Sequence, residues 1–69
     1  GGNACAILNA ANEAAVDLFL KKQISFLTID EIIQNALNKS EWIQSPTLEQ
    51  LLETDKLVKQ AVYQQYQKN

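Results

Sequence analysis

The stretch ACAILNAANEAAVDLFLKK, Ala4 to Lys22, carries apolar residues at helical spacing from end to end. On a helical wheel Ile7, Ala11, Ala14 and Leu18 form one stripe, widened by Leu8, Ala15 and Phe19. That is the broad apolar face of a helix that packs on a core. The alanines at 10, 11 and 14 raise helix propensity and let a neighbouring backbone approach closely. Asn3 stands where its side chain can accept from an orphan amide of the first turn. On the opposite side, Asn9, Asn12 and Glu13 share a face with Val16 and Leu20.

Outward from this helix, Gln23 to Leu27 alternates apolar and polar too briefly to make a sheet, and is expected to be an extended connector with Ile24 and Phe26 plugged into the core. Thr28-Ile29-Asp30-Glu31 has the form of a capping box, with Leu27 and Ile32 as a hydrophobic staple. A second helix should follow to about Asn38, presenting Ile29, Ile32, Ile33, Ala36 and Leu37. Lys39 to Pro46 reads as a polar linker in which Trp42 covers an edge of the core. Thr47-Leu48-Glu49-Gln50 is a second capping box, opening a short helix with Leu48, Leu51 and Leu52 inward. Thr54 or Asp55 can cap a last helix that presents Leu57, Val58, Ala61 and Val62 and frays through Tyr63 and Tyr66. The expected fold is all-α, a small four-helix bundle-like or orthogonal helical domain.

Composition agrees with one small ordered domain. The chain has 69 residues, 46% hydrophobic and 20% charged, with two Gly and one Pro. A domain of this size buries only about 60% of the surface its unfolded chain exposes, so stability should be modest. Net charge is −2, and all six cations are lysines. Without arginine or a basic face there is no footprint for nucleic acid. No apolar run of membrane-spanning length occurs, and no signal-peptide pattern, which points to a soluble, cytoplasmic setting. The chain begins Gly1-Gly2 and contains no Met, as expected of a piece of a longer protein.

The residues offer little chemistry. His is absent, which removes the commonest general base and zinc ligand. Cys5 is alone and reads as a small buried hydrophobe. Glu13 and Asp17 form an i, i+4 carboxylate pair with no third ligand in reach by spacing. Asp30 and Glu31 are accounted for by capping, and Glu49 and Glu53 by solubility. Ser25, Ser40 and Ser45 have no His partner, and no Gly-rich phosphate loop exists. Catalytic, cofactor-binding and metal residues are therefore expected to be none.

Gly1-Gly2, the run Leu8-Asn9-Ala10-Ala11-Asn12-Glu13, and Phe19-Leu20 closing the same helix resemble the start of the C-terminal domain of the 1-deoxy-D-xylulose 5-phosphate reductoisomerase family. Ile24, Phe26 and Ile29, then Leu48, Leu52 and Asp55, extend the resemblance in order along nearly the whole chain. Two departures stand at the helix start, Asn3 where the family often has Thr and Cys5 where it often has Pro.

The resemblance implies a parent enzyme that makes 2-C-methyl-D-erythritol 4-phosphate in the non-mevalonate route to isoprenoids. It implies NADPH and a divalent metal, Mg or Mn, bound on N-terminal and central domains, and a homodimer. It carries no catalytic residue onto these 69 positions. Two other classes of small helical protein fit the sequence less well. An acyl-carrier-like module lacks its Asp-Ser-Leu attachment site, and a helix-turn-helix DNA binder lacks basic residues. Under the resemblance, the face Asn9, Asn12, Glu13, Val16 and Leu20 is expected to dock on the catalytic domain of the parent, since a purely solvated face has little use for Val and Leu.

Overall fold

A computed structural model describes residues 2–68; of the two glycines that open the chain, Gly1 lies outside the described residues. The fold is all-α. Its elements are α1 (Ala4–Leu20), α2 (Phe26–Lys39) and α3 (Leu48–Tyr66), and no strand occurs among the described residues. The chain runs up, down and up. Glu13 pairs with Lys59 and Asp17 with Tyr63 at one constant sequence offset, so α1 and α3 are parallel. α2 folds back from the end of α1, and its far end returns to the start of α1 through Asn3.

α1 is the spine. Ile7, Ala10, Ala11, Ala14, Ala15 and Leu18 are all buried, and they meet Ile32 of α2 and Val58 and Val62 of α3. Four alanines on one helix remove the side-chain bulk that would hold neighbours apart, so α2 and α3 both come close to the same backbone. The expected stripe of α1 is the observed core, apart from Leu8, which is exposed, and Phe19, which is half-buried. Cys5, expected to be buried, is exposed in the first turn, off the stripe that Ile7 begins.

α1 ends in a Schellman arrangement. Gln23 N–H donates to Leu18 O at 2.9 Å and Lys22 N–H to Phe19 O at 2.9 Å. Lys22 supplies the left-handed residue such an ending needs, at φ 62°.

The structure corrects the sequence reading at several places. The described residues form three helices, not four, because nothing between Leu48 and Tyr66 breaks a helix. Thr54 and Asp55 stay inside α3: Thr54 is buried against Asn3, and Asp55 pairs with Lys59 at 3.2 Å. Once a helix is nucleated, propagating it through a capping-type residue is less costly than starting another. The helix also continues past Tyr63 to Tyr66 instead of fraying, with both hydroxyls bonded to other helices.

At the start of α2 the extended connector is shorter than expected. Ser25 is the N-cap residue, and the Thr28 amide is satisfied by the Ser25 carbonyl at 3.1 Å. Thr28 therefore sits in the first turn and its capping box does not form. Glu31 instead accepts from the Tyr66 hydroxyl at 3.2 Å. Leu27 is no staple, being 82% exposed, and Phe26 is 70% exposed with its ring edge against Phe19 at 5.7 Å between centroids. Of the two residues expected to plug the core, only Ile24 packs against it. The capping box at Thr47 does form, with Gln50 N–H donating to Thr47 Oγ1 and Thr47 N–H to Gln50 Oε1.

Asn3 holds the N-cap position of α1 but makes no side-chain cap bond. Its side chain turns into the 40–47 linker, where Oδ1 accepts from Ile43 N–H at 3.0 Å and Nδ2 donates to Glu41 O at 2.8 Å and, at 3.5 Å, to Thr54 Oγ1. The Asn3 amide donates to Ile43 O as well. Trp42, between those partners, is 60% exposed and lies on Gly2, where an added Cβ would collide with the indole. The indole thus covers the incoming backbone, not an edge of the core.

On α3, Val58 and Val62 point inward as expected, and Leu51 is half-buried. Leu48, Leu52, Leu57 and Ala61 are exposed. Those outward leucines are the first sign that the three helices leave apolar surface uncovered.

Candidate functional site

Three surfaces are available for recognition. The first is the outer face of α1, opposite its alanine stripe. Asn9, Asn12, Glu13, Val16 and Leu20 are all exposed, Leu20 at 72%. Glu13 is tied to α3, since Lys59 Nζ lies 3.2 Å from both Glu13 Oε2 and Asp55 Oδ2. These two carboxylates, Asp55 first, raise the Lys59 pKa by favouring its ammonium form. The face is therefore polar at its α3 edge and apolar along Val16 and Leu20.

Below Glu13 on the same edge, the Tyr63 hydroxyl donates to Asp17 Oδ2 at 2.6 Å, and Lys21 reaches the same oxygen at 3.1 Å. The bond from Tyr63, and after it the one from Lys21, lowers the Asp17 pKa; Asp17 in turn raises that of Tyr63. Both directions have consequences for stability. The Asp17 contribution is present above its unfolded pKa and fades as pH falls through its lowered folded value. The Tyr63 contribution is present below its unfolded pKa and fades as pH rises through its raised folded value. Tyr63→Phe should therefore return the Asp17 titration, followed by NMR, towards the ordinary carboxylate range and flatten both limbs of the stability profile. An unmoved Asp17 titration would show that the bond does not persist in solution.

The second surface is a groove of about 470 Å³ between α2 and α3, on the side to which α1 contributes no lining residue. Ile32, Ala36, Leu57, Val58, Ala61 and Val62 make it largely apolar. Asn35, Gln65 and Tyr66 border it, Asn35 Nδ2 donating to the Tyr66 hydroxyl at 2.9 Å. Sequence reasoning missed this groove because it assigned Leu57 and Ala61 inward. The signal was there, since α3 carries more apolar positions than one core-facing stripe uses. The third surface is the tip where α1 meets α2, with Leu20, Phe26 and Leu27 outward beside Lys21 and Lys22.

Chemically the described residues are poor. No three Cys, Asp or Glu side chains converge on a possible metal position among them. No helix of the described residues is long and apolar enough to cross a membrane.

Comparison with known proteins gives one consistent answer. A family model described as the DXP reductoisomerase C-terminal domain matches residues 1–61. A 1-deoxy-D-xylulose 5-phosphate reductoisomerase from an Exiguobacterium species is 50% identical over 64 residues, covering 93% of this chain and 17% of that protein. Enzymes of the same name from Bacillus cereus and Thermoanaerobacter pseudethanolicus are 45% and 46% identical, covering 94% and 96% of this chain and again 17% of theirs. The chain thus spans about a sixth of the length of these relatives. No solved structure gives a significant match.

Proposed function

The chain belongs to the DXP reductoisomerase C-terminal domain family, and from that premise we propose that it is the accessory helical domain of a 1-deoxy-D-xylulose 5-phosphate reductoisomerase. The observation that carries this is the match of residues 1–61 to a C-terminal domain model, with identity near one half to enzymes of that name. In this reading the parent is a cytoplasmic homodimer that uses NADPH and a divalent metal to make 2-C-methyl-D-erythritol 4-phosphate. Both groups belong to parts of the polypeptide outside these 69 residues. The domain supports the active-site scaffold and does no chemistry. Calorimetric titration of NADPH into the 69-residue chain should give no heat of binding, and a micromolar affinity would overturn the assignment of roles.

The outer face of α1 is the surface we assign to the catalytic domain. An isolated Leu20 at 72% exposure would need no explanation, but here it shares a face with Val16, Asn9 and Asn12. Asparagine side chains can satisfy backbone groups of a neighbour while the apolar pair is buried. Leu20→Asp should leave the 69-residue chain folded with an unchanged melting temperature. In the full-length enzyme the same change should cost about 2 kcal/mol of stability, the scale of burying one leucine side chain. Unfolding of the isolated chain by Leu20→Asp, or no effect on the whole enzyme, would eliminate this face.

A further inference from the structure

We propose that Gly2 and Trp42 form a rigid elbow where the polypeptide enters the domain, so that the direction of the preceding chain is fixed and not hinged. A glycine at the mouth of a domain is ordinarily a point of freedom, because it has the widest choice of backbone angles. Here the surroundings remove that choice. Gly2 sits at φ 90°, an angle that residues with a side chain rarely adopt. The far end of the Trp42 ring lies where a side chain would be, since a Cβ added to Gly2 would stand 2.8 Å or less from Cη2, Cζ2 and Cζ3. Position 2 thus requires glycine on two separate grounds, its backbone angle and the close approach of the indole.

The indole is itself held in place. The backbone on either side of it bonds to one side chain, Asn3 Nδ2 donating to Glu41 O at 2.8 Å and Ile43 N–H donating to Asn3 Oδ1 at 3.0 Å. The Asn3 amide adds a third bond, to Ile43 O at 3.1 Å. Residues 41–43 and Asn3 therefore make one closed unit, from which the ring projects over Gly2. With 60% of its surface in solvent, the ring adds little to the core, and its contact is with the entering backbone. A flat apolar ring laid on a bare glycine restricts the peptide groups on both sides of it. The matching family model is one of a C-terminal domain, and most of each relative lies outside the match, so polypeptide precedes Gly1 in a reductoisomerase of full length. Relative motion is the default between parts of a chain joined by a free linker, and an elbow suppresses it. Trp42 is then a positioning residue, which sets the angle at which the domain is presented. The inference rests on membership of the family and is independent of the docking face on α1.

Amide hydrogen exchange tests the elbow at two levels. NMR reads the Asn3 amide in the 69-residue chain, and mass spectrometry reads the segment across position 2 in the full-length enzyme. Gly2→Ala separates elbow from hinge by sign. Alanine stiffens a flexible hinge, so exchange at the joint would slow. In the elbow the added methyl displaces the indole and takes a disfavoured angle. Exchange of the Asn3 amide should then rise by at least about tenfold, while that of Leu18, in the middle of the core, stays near its original rate. Trp42→Ala should speed exchange at the same amide and, in the full-length enzyme, across position 2. In the Trp42→Ala background Gly2→Ala should add less than it does alone, because the collision is gone and only the backbone angle remains. Slower exchange at the joint in Gly2→Ala would overturn the inference, and so would a Trp42→Ala enzyme whose joint exchanges no faster than the original. Acceleration spread evenly over Asn3 and Leu18 would also overturn it, since Trp42 would then support the fold as a whole and not the entry.

Discussion

Asn3→Ala is expected to lower the unfolding free energy of this domain by about 2–5 kcal/mol. The side chain is fully buried and bonds the linker on both of its polar atoms, Oδ1 to Ile43 N–H and Nδ2 to Glu41 O. Truncation leaves that part-buried amide and carbonyl without their partners, and each group so orphaned costs about 1–3 kcal/mol, towards the lower figure where water has access. The contact to Thr54 at 3.5 Å adds little. A chain of this length has a total stability of roughly 3–10 kcal/mol, from a typical 0.05–0.15 kcal/mol per residue, so the loss is a large share of it. Urea unfolding followed by circular dichroism measures it directly. A change below about 0.5 kcal/mol would mean that water replaces the side chain in the linker and that the stitch is ornamental.

Leu18→Ala should cost about 2–5 kcal/mol, the range for deleting a buried leucine side chain. Leu18 has no exposed surface, and several of its α1 neighbours in the core are alanines. Alanine cannot swing into a void, so the site should collapse poorly and the cost should sit in the upper half of that range. Leu20, two residues on, faces solvent, and Leu20→Ala should be nearly silent in the 69-residue chain. The pair is best read by thermal melts of both variants side by side. Equal effects would mean that α1 is rotated about its axis relative to the arrangement described here.

The buried side of α1 was legible because Ala, Ile and Leu recur at helical spacing on a helix that packs against both others, so periodicity alone orients it. α3 was harder. It carries apolar residues towards the core and towards the groove, and a wheel cannot say which strip has a partner. Asn3 was misread for a different reason. An Asn before a helix is ordinarily a cap, and its real partners lie 38 to 51 residues away in sequence. At Thr28 the pattern of a capping box was present, but Ser25 offered an earlier start and the Tyr66 hydroxyl took the Glu31 carboxylate. Local signals located the helices. They could not resolve competition among partners far apart in sequence. The exposure of Asn9, Asn12, Glu13, Val16 and Leu20 followed from the wheel, because they lie opposite the alanine stripe that both other helices cover.

The position of Trp42 gives the domain a built-in optical label. It is the single Trp of the chain, and its ring rests on Gly2 inside the segment that Asn3 fastens. The only two tyrosines, Tyr63 and Tyr66, sit at the opposite end of the molecule, beside Asp17 and Glu31. Indole emission therefore reports the end where polypeptide enters, and phenol absorbance reports the end where α3 meets the α1–α2 turn. If the two signals change together on denaturation, the molecule unfolds as one unit. A shift of indole emission that runs ahead of the phenol signal would mean that the entry end opens first, by release of the linker from Asn3 while the helices still hold.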